Sequence, residues 1–173
     1  IASRKSADIS YISVTWQEWW ENSDGISTFN GNIYLQNSSE GQVYKHKPWL
    51  NWFWAKSQVL STPSPGILDV WIDWGFYVLK NDQKIIRLLW SSWTQTWIIL
   101  NKIPWEYNVG KKAGNTKIIV RPEINYVYIL DGDRVWVFLP DSKRFQDVRS
   151  WTYIAQIELS TIKPIQDIAV ARD

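Results

Sequence analysis

An all-β fold, an antiparallel sandwich of two sheets, is what this sequence predicts, on three observations. Apolar residues recur at every second position in short runs, the alternation of a half-buried strand. Isoleucine and aromatic residues dominate those runs, and both fit a pleated surface. Clusters of Gly, Pro, Asn, Asp and Ser interrupt them at short intervals, as the turns of a sandwich do.

Candidate strands cover residues 9–15, 31–36, 49–59, 67–79, 84–90, 96–102, 116–120, 126–130, 134–139, 151–159 and 164–170. Turn clusters between them include Asn22-Ser23-Asp24-Gly25, Asn37-Ser38-Ser39-Glu40-Gly41, Ser61-Thr62-Pro63-Ser64-Pro65-Gly66, Lys80-Asn81-Asp82 and Pro140-Asp141-Ser142-Lys143. The sharpest local signal is Asp131-Gly132, placed between two alternating runs as a two-residue hairpin turn and setting Leu130 beside Asp133. Short helical turns are expected at residues 16–21 and 142–148, neither long enough to organise a fold. No repeat at a solenoid or propeller period stands out and no low-complexity linker divides the chain. Residues 1–173 therefore read as one domain.

Composition removes several function classes. A formal charge of +2 with acids and bases interspersed gives no footprint for nucleic acid. Lys45-His46-Lys47, the densest basic cluster, reads as a solvated loop. Absence of cysteine rules out disulfides and thiol catalysis. Nowhere do the roughly 18 to 20 apolar residues of a membrane helix occur together; the segment at Trp97-Ile98-Ile99-Leu100 is broken by Asn101, Lys102 and Pro104. A start at Ile1 is expected of a processed product or a piece of a longer chain, and a removed secretory signal accounts for it, so a secreted or cell-surface location is expected.

Fourteen tryptophans are more amphipathic aromatic surface than a core of this size absorbs. Some are expected at a surface, where rings stack on sugars, join subunits or sit at a membrane interface. In the run Asp69-Val70-Trp71-Ile72-Asp73-Trp74, strand alternation puts Asp69, Trp71 and Asp73 on one face and Val70, Ile72 and Trp74 on the other. The second set is expected in the core. The first is an aromatic platform between two carboxylates, suited to a pyranose face and its hydroxyls. Trp93 and Trp97 are expected to extend this surface from the neighbouring loop. Trp49, Leu50, Trp52, Phe53 and Trp54 load both faces of one strand and predict burial on both sides or against a partner chain.

Catalysis is not expected. At ~3.3 Å per residue, Asp69 and Asp73 stand about 13 Å apart, beyond the roughly 5 to 9.5 Å of glycosidase pairs. A single histidine, His46, excludes a serine triad built on another His and any multi-histidine metal site, and its lysine neighbours predict exposure. Asp131-Gly132-Asp133 opens like a calcium loop, but Val135 and Val137 stand where oxygen ligands are required. Asn37-Ser38-Ser39 is a glycosylation sequon, with meaning only in a eukaryotic secretory route.

From about Trp16 onward the order of elements resembles the concanavalin A-like, laminin-G-like jelly rolls of bacterial extracellular proteins. The resemblance lies in Asn30-Gly31-Asn32-Ile33-Tyr34-Leu35, in Gly75-Phe76-Tyr77-Val78 followed by Lys84-Ile85-Ile86-Arg87-Leu88-Leu89, in Gly114-Asn115-Thr116-Lys117-Ile118-Ile119-Val120 with Val127-Tyr128-Ile129-Leu130-Asp131-Gly132, and in the closing Ile165-Gln166-Asp167-Ile168-Ala169-Val170. Trp151-Thr152-Tyr153-Ile154-Ala155 stands where that family has a glycine-containing strand. The resemblance implies a jelly-roll sandwich, with calcium drawn from Asp24, Asp69 or Asp82; the spacing itself assigns no metal and no cofactor. Glycosidases among these jelly rolls carry closely alternating acids on one strand, and Trp16-Gln17-Glu18-Trp19-Trp20-Glu21 lacks the intervening Asp. The expectation is a non-catalytic carbohydrate-binding module with Asp69, Trp71, Asp73, Trp93 and Trp97 at its surface. The alternative is a structural subunit of an extracellular filament or a phage tail or fibre, with tryptophans buried between copies.

Overall fold

The computed structural model describes residues 20–49, 52–53, 55–73, 75–89, 94–110, 115–159, 165 and 167–170. The expected strand at 9–15 lies outside these residues. The described chain is all-β, with a 3-10 turn at Phe145–Asp147 where a short helical turn was expected.

Three antiparallel meanders of four strands follow one another. The first holds β1 (Gly25–Phe29), β2 (Asn32–Asn37) and β3 (Gln42–His46). A small hairpin of β4 (Pro48–Trp49) and β5 (Trp52–Phe53) intervenes before β6 (Ser57–Gln58) completes that sheet. The single strand expected over 49–59 is thus broken in two. The second meander is β7 (Ile67–Ile72), β8 (Phe76–Lys80), β9 (Ile85–Leu88) and β10 (Gln95–Asn101). The third is β11 (Thr116–Arg121), β12 (Tyr126–Asp131), β13 (Arg134–Pro140) and β14 (Ser150–Glu158). Residues 165 and 167–170 take no strand.

A short parallel pairing of β10 with β14, Ile99 opposite Ser150, joins the second and third meanders into one eight-stranded sheet. That sheet curls until its two end strands, β7 and β11, lie side by side. Bulges sharpen the curl. Leu68 has no partner between the pairs Ile67–Lys80 and Asp69–Leu79, and Ile154 has none between Phe138–Tyr153 and Val137–Ala155.

Alternation in β7 and β8 divides their apolar side chains between two cores. Val70, Ile72, Phe76 and Val78 pack against Tyr34, Val43, Val59 and Leu60 of the first meander. Tyr77 and Leu79 face the other way, with Ile85 and Ile98, onto Ile118, Val127, Ile129, Trp136, Phe138 and Trp151. Aromatic rings fill this second core edge to face, Tyr107 standing 5.2 Å from Trp136 and 5.7 Å from Phe138. An eight-stranded curl has room inside for side chains and little else.

Two expectations are corrected. His46 is 1% exposed, not a solvated loop residue; it lies in β3, where alternation turns it away from Lys45 and Lys47 and onto the Trp20 ring, 5.4 Å between centres. The β12–β13 hairpin forms, but Asp131 pairs with Arg134 and Leu130 with Val135, so Gly132-Asp133 make the turn. Asp131 is held in the strand because its carboxylate accepts the Gly110 N–H at 3.0 Å.

Candidate functional site

β7 carries the centre of the expected surface, and the Leu68 bulge decides where its side chains go. Asp69 reaches across the seam to β11, accepting the Ile118 backbone N–H at 2.7 Å with the Lys117 ammonium 3.6 Å away. Burial pushes this carboxyl above its ordinary value, while the Ile118 N–H and Lys117 pull it down. Asp69 therefore stitches the sheet. Trp71 is half-buried and packs against the core between the second and third meanders, its indole Nε1 buried with no hydrogen-bond partner. Asp73 follows at the strand end, its N–H donating to the Gly75 carbonyl at 2.9 Å. Val70 and Ile72 lie in the opposite core as expected, and Trp74 lies outside the described residues.

Trp97 does not join this face. Its neighbour Ile98 points into the same core as Trp71, so Trp97 projects from the other side of the sheet, three strands away. It is 52% exposed, with the Lys80 and Lys84 ammonium groups 5.7 and 5.6 Å from its ring centre. Asp82 bridges these lysines at 3.6 and 3.3 Å. Trp93 lies outside the described residues.

What Trp71 does border is a narrow, partly open cleft at one end of the second core, with a cavity volume of about 20 Å³. Trp71 and Tyr77 come from β7 and β8; Pro122, Asn125 and Tyr126 come from the β11–β12 turn, and Lys143 from the segment after β13. Asn125 holds the turn in the left-handed region, φ 58°, with its N–H on the Pro122 carbonyl at 3.2 Å. Its side-chain Oδ1 is buried and has no hydrogen-bond partner. Burial raises the Tyr77 phenol above its ordinary value, which keeps it a neutral hydrogen-bonding group. Aromatic faces, an amide and one cation thus share a concave surface, and among the described residues no carboxylate lines it.

No protein-family model matches this chain. No curated protein matches it either. The geometry alone carries the functional argument.

Arg87 is the residue that sequence reasoning passed over. It is 1% exposed inside the curl, where its guanidinium donates to the Val148 carbonyl, to the Gln146 carbonyl at 3.4 Å and to Thr96 Oγ1 at 3.2 Å. These bonds pin residues 146–148 over the core, and Val148 is part of the cleft wall. Its only mark in the sequence is a charge in the apolar run 85–89. The calcium candidates are dispersed: Asp24 accepts the Ser38 N–H at 3.3 Å, Asp69 holds the seam and Asp82 holds the lysines. Among the described residues no group of three or more His, Cys, Asp or Glu is placed to hold a metal. Asn37 of the sequon is buried, its Oδ1 accepting from Ser39 and from the Glu40 N–H at 2.9 Å.

Proposed function

We propose that this protein is a non-catalytic carbohydrate-binding module, secreted or displayed at a cell surface. The cleft bordered by the rings of Trp71 and Tyr126, with Tyr77 buried at its base against Trp151, is the observation that carries the reading. Flat rings give a sugar its stacking surface, while Asn125, Ser142 and Lys143 offer hydrogen bonds to hydroxyls. Among the described residues no carboxylate lines the cleft, so none of them is placed there for acid–base cleavage of a glycosidic bond. As to fold type, the packing of two sheets supports the jelly-roll resemblance, whereas the meander order supports the radial arrangement argued below.

A glycan array tests the function. The parent is expected to bind at least one polysaccharide class. Tyr126→Ala, which changes a partly exposed ring on the rim, should weaken binding about tenfold or more with an unchanged melting midpoint. A parent that binds no glycan, or a variant that binds as well as the parent, overturns the reading.

The structural-subunit reading has its own support in Trp105, 91% exposed, and in Trp97 with Ile99 on the outer face of β10. Contiguous exposed apolar side chains mark association surfaces, and Trp97 with Ile99 on one face of β10 is the adjacent pair here. Sedimentation of the parent at rising concentration separates the two readings, since a subunit polymerises and a binding module stays monomeric.

A further inference from the structure

The three meanders share more than their strand count. In each, spatial order follows chain order, and the first strands lie in series, β1 beside β7 and β7 beside β11. Their registers set equivalent residues in one row: Ser27, Tyr34 and Lys45 in the first, Trp71, Tyr77 and Arg87 in the second, Ile119, Tyr128 and Val137 in the third. The central tyrosine does the same work twice. Tyr34 packs on Phe76 of the second meander, ring centres 6.0 Å apart, and Tyr77 on Trp151 of the third at 5.2 Å. Each faces the meander that follows.

Tyr128 is the third member of this series. Ile118, Ile129 and Trp136 point back to the second meander, so alternation turns Ile119, Tyr128, Leu130, Val135 and Val137 forward. None of these five belongs to either cluster; Ile119, Leu130, Val135 and Val137 are already buried and Tyr128 is half-buried, and the face is open only at its outer margin, at Leu139 and Ile157. The third meander therefore presents the kind of face that the first presents to the second and the second to the third.

The sequence marks what fits there. Ile67-Leu68-Asp69-Val70-Trp71-Ile72 opens the second meander, and Ile165-Gln166-Asp167-Ile168-Ala169-Val170 repeats its isoleucine, its aspartate and both following aliphatic positions. The Val170 carbonyl accepts from the Arg121 guanidinium at 2.7 Å, which sets Val170 beside the end of β11. We infer that the meanders are successive blades of a radial, propeller-type array and that residues 165–170 are the first strand of a fourth. Three further antiparallel strands, alternating as β8 to β10 do, complete this blade against the open outer margin of the forward face, at Leu139 and Ile157.

An extended chain tests this. Residues 76–101 appended after Asp173 supply β8 to β10 at the spacing that separates Ile72 from Phe76. The amides of residues 165–170 are expected to exchange with solvent at least about tenfold more slowly than in the parent, and the melting midpoint to rise. Ile157→Glu probes the docking face, because Ile157 shares a row with Leu130 and Val135 and is 49% exposed. It should leave the parent's melting unchanged and remove the protection gained by the extended chain. Equal exchange of residues 165–170 in parent and extended chains overturns the inference, as do failure of the extended chain to fold and protection that survives Ile157→Glu.

Discussion

The Asp69 carboxylate on β7 accepts the Ile118 backbone N–H on β11 at 2.7 Å, and this one side chain joins the two ends of the curled sheet. The Leu68 bulge makes it possible, because the extra residue re-aims Asp69 across the seam. Replacing Asp69 by Ala should cost about 1 to 3 kcal/mol, since the Ile118 N–H loses its acceptor in a partly buried place. Asn keeps an acceptor and should recover most of that loss. Urea unfolding of the three proteins measures both, and an alanine variant as stable as the parent would show that the seam holds by apolar packing alone.

The same carboxylate has a pH signature. Burial raises its folded pKa above the ordinary 3.8, so the fold disfavours its ionised form. Its contribution to stability is full below the unfolded pKa and is lost as pH rises through the folded one. Relative to Asp69→Asn, which cannot ionise, the parent should lose stability as pH rises from below the unfolded pKa through the raised folded one. A parent that gains on the variant over that range would mean that Lys117 and the Ile118 N–H outweigh desolvation.

Arg87 ties the core to the wall of the cleft. Arg87→Met keeps the length of the side chain but strands the Val148 and Gln146 carbonyls, at an expected cost of about 2 to 4 kcal/mol. Faster amide exchange should appear at residues 146–148 before the sheet itself loosens. Unchanged exchange there would assign the pinning to apolar contacts of Val148.

How much of this was legible depended on distance along the chain. Period-two alternation placed Val70 and Ile72 in one core and Trp71 on the opposite face, because strand geometry fixes facing locally, but it did not show that the opposite face packs on a second core. It gave no sign of the bulge at Leu68, and Asp69 finds its partner 49 residues away, so a seam residue read as a sugar ligand. Trp71 and Trp97 were grouped by aromatic character, yet three intervening strand steps and one change of face separate them. His46 was misread from its neighbours' charge when its parity decided burial. The threefold meander escaped notice because Tyr34, Tyr77 and Tyr128 are 43 and 51 residues apart, their connecting segments having unequal lengths.

Gly132 offers a test of the turn that was anticipated one residue early. Its φ of 67° lies in the left-handed region, where a β-branched side chain meets the following carbonyl. Gly132→Val should therefore cost about 1 to 2 kcal/mol. Gly132→Asn should cost less, because Asn visits this region more readily. Equal melting of the two variants would mean that the turn relaxes to a different conformation.

Trp71 separates the functional from the structural role of the cleft. An exposed platform was expected to tolerate loss of its ring, but Trp71 packs on the core between the second and third meanders, so Trp71→Ala should cost about 3 kcal/mol, toward the lower end for a large aromatic ring. Loss of sugar binding in that variant would therefore be ambiguous. Trp71→Phe keeps an aromatic face but loses the second ring of the indole together with the Nε1 donor, which has no protein partner to lose. Its stability should stay within about 1.5 kcal/mol of the parent. If the indole N–H opens toward a bound hydroxyl, binding should fall about tenfold while the midpoint of unfolding barely moves. Binding equal to the parent's would confine Trp71 to stacking and packing, and would leave Asn125, Ser142 and Lys143 as the groups that orient the ligand.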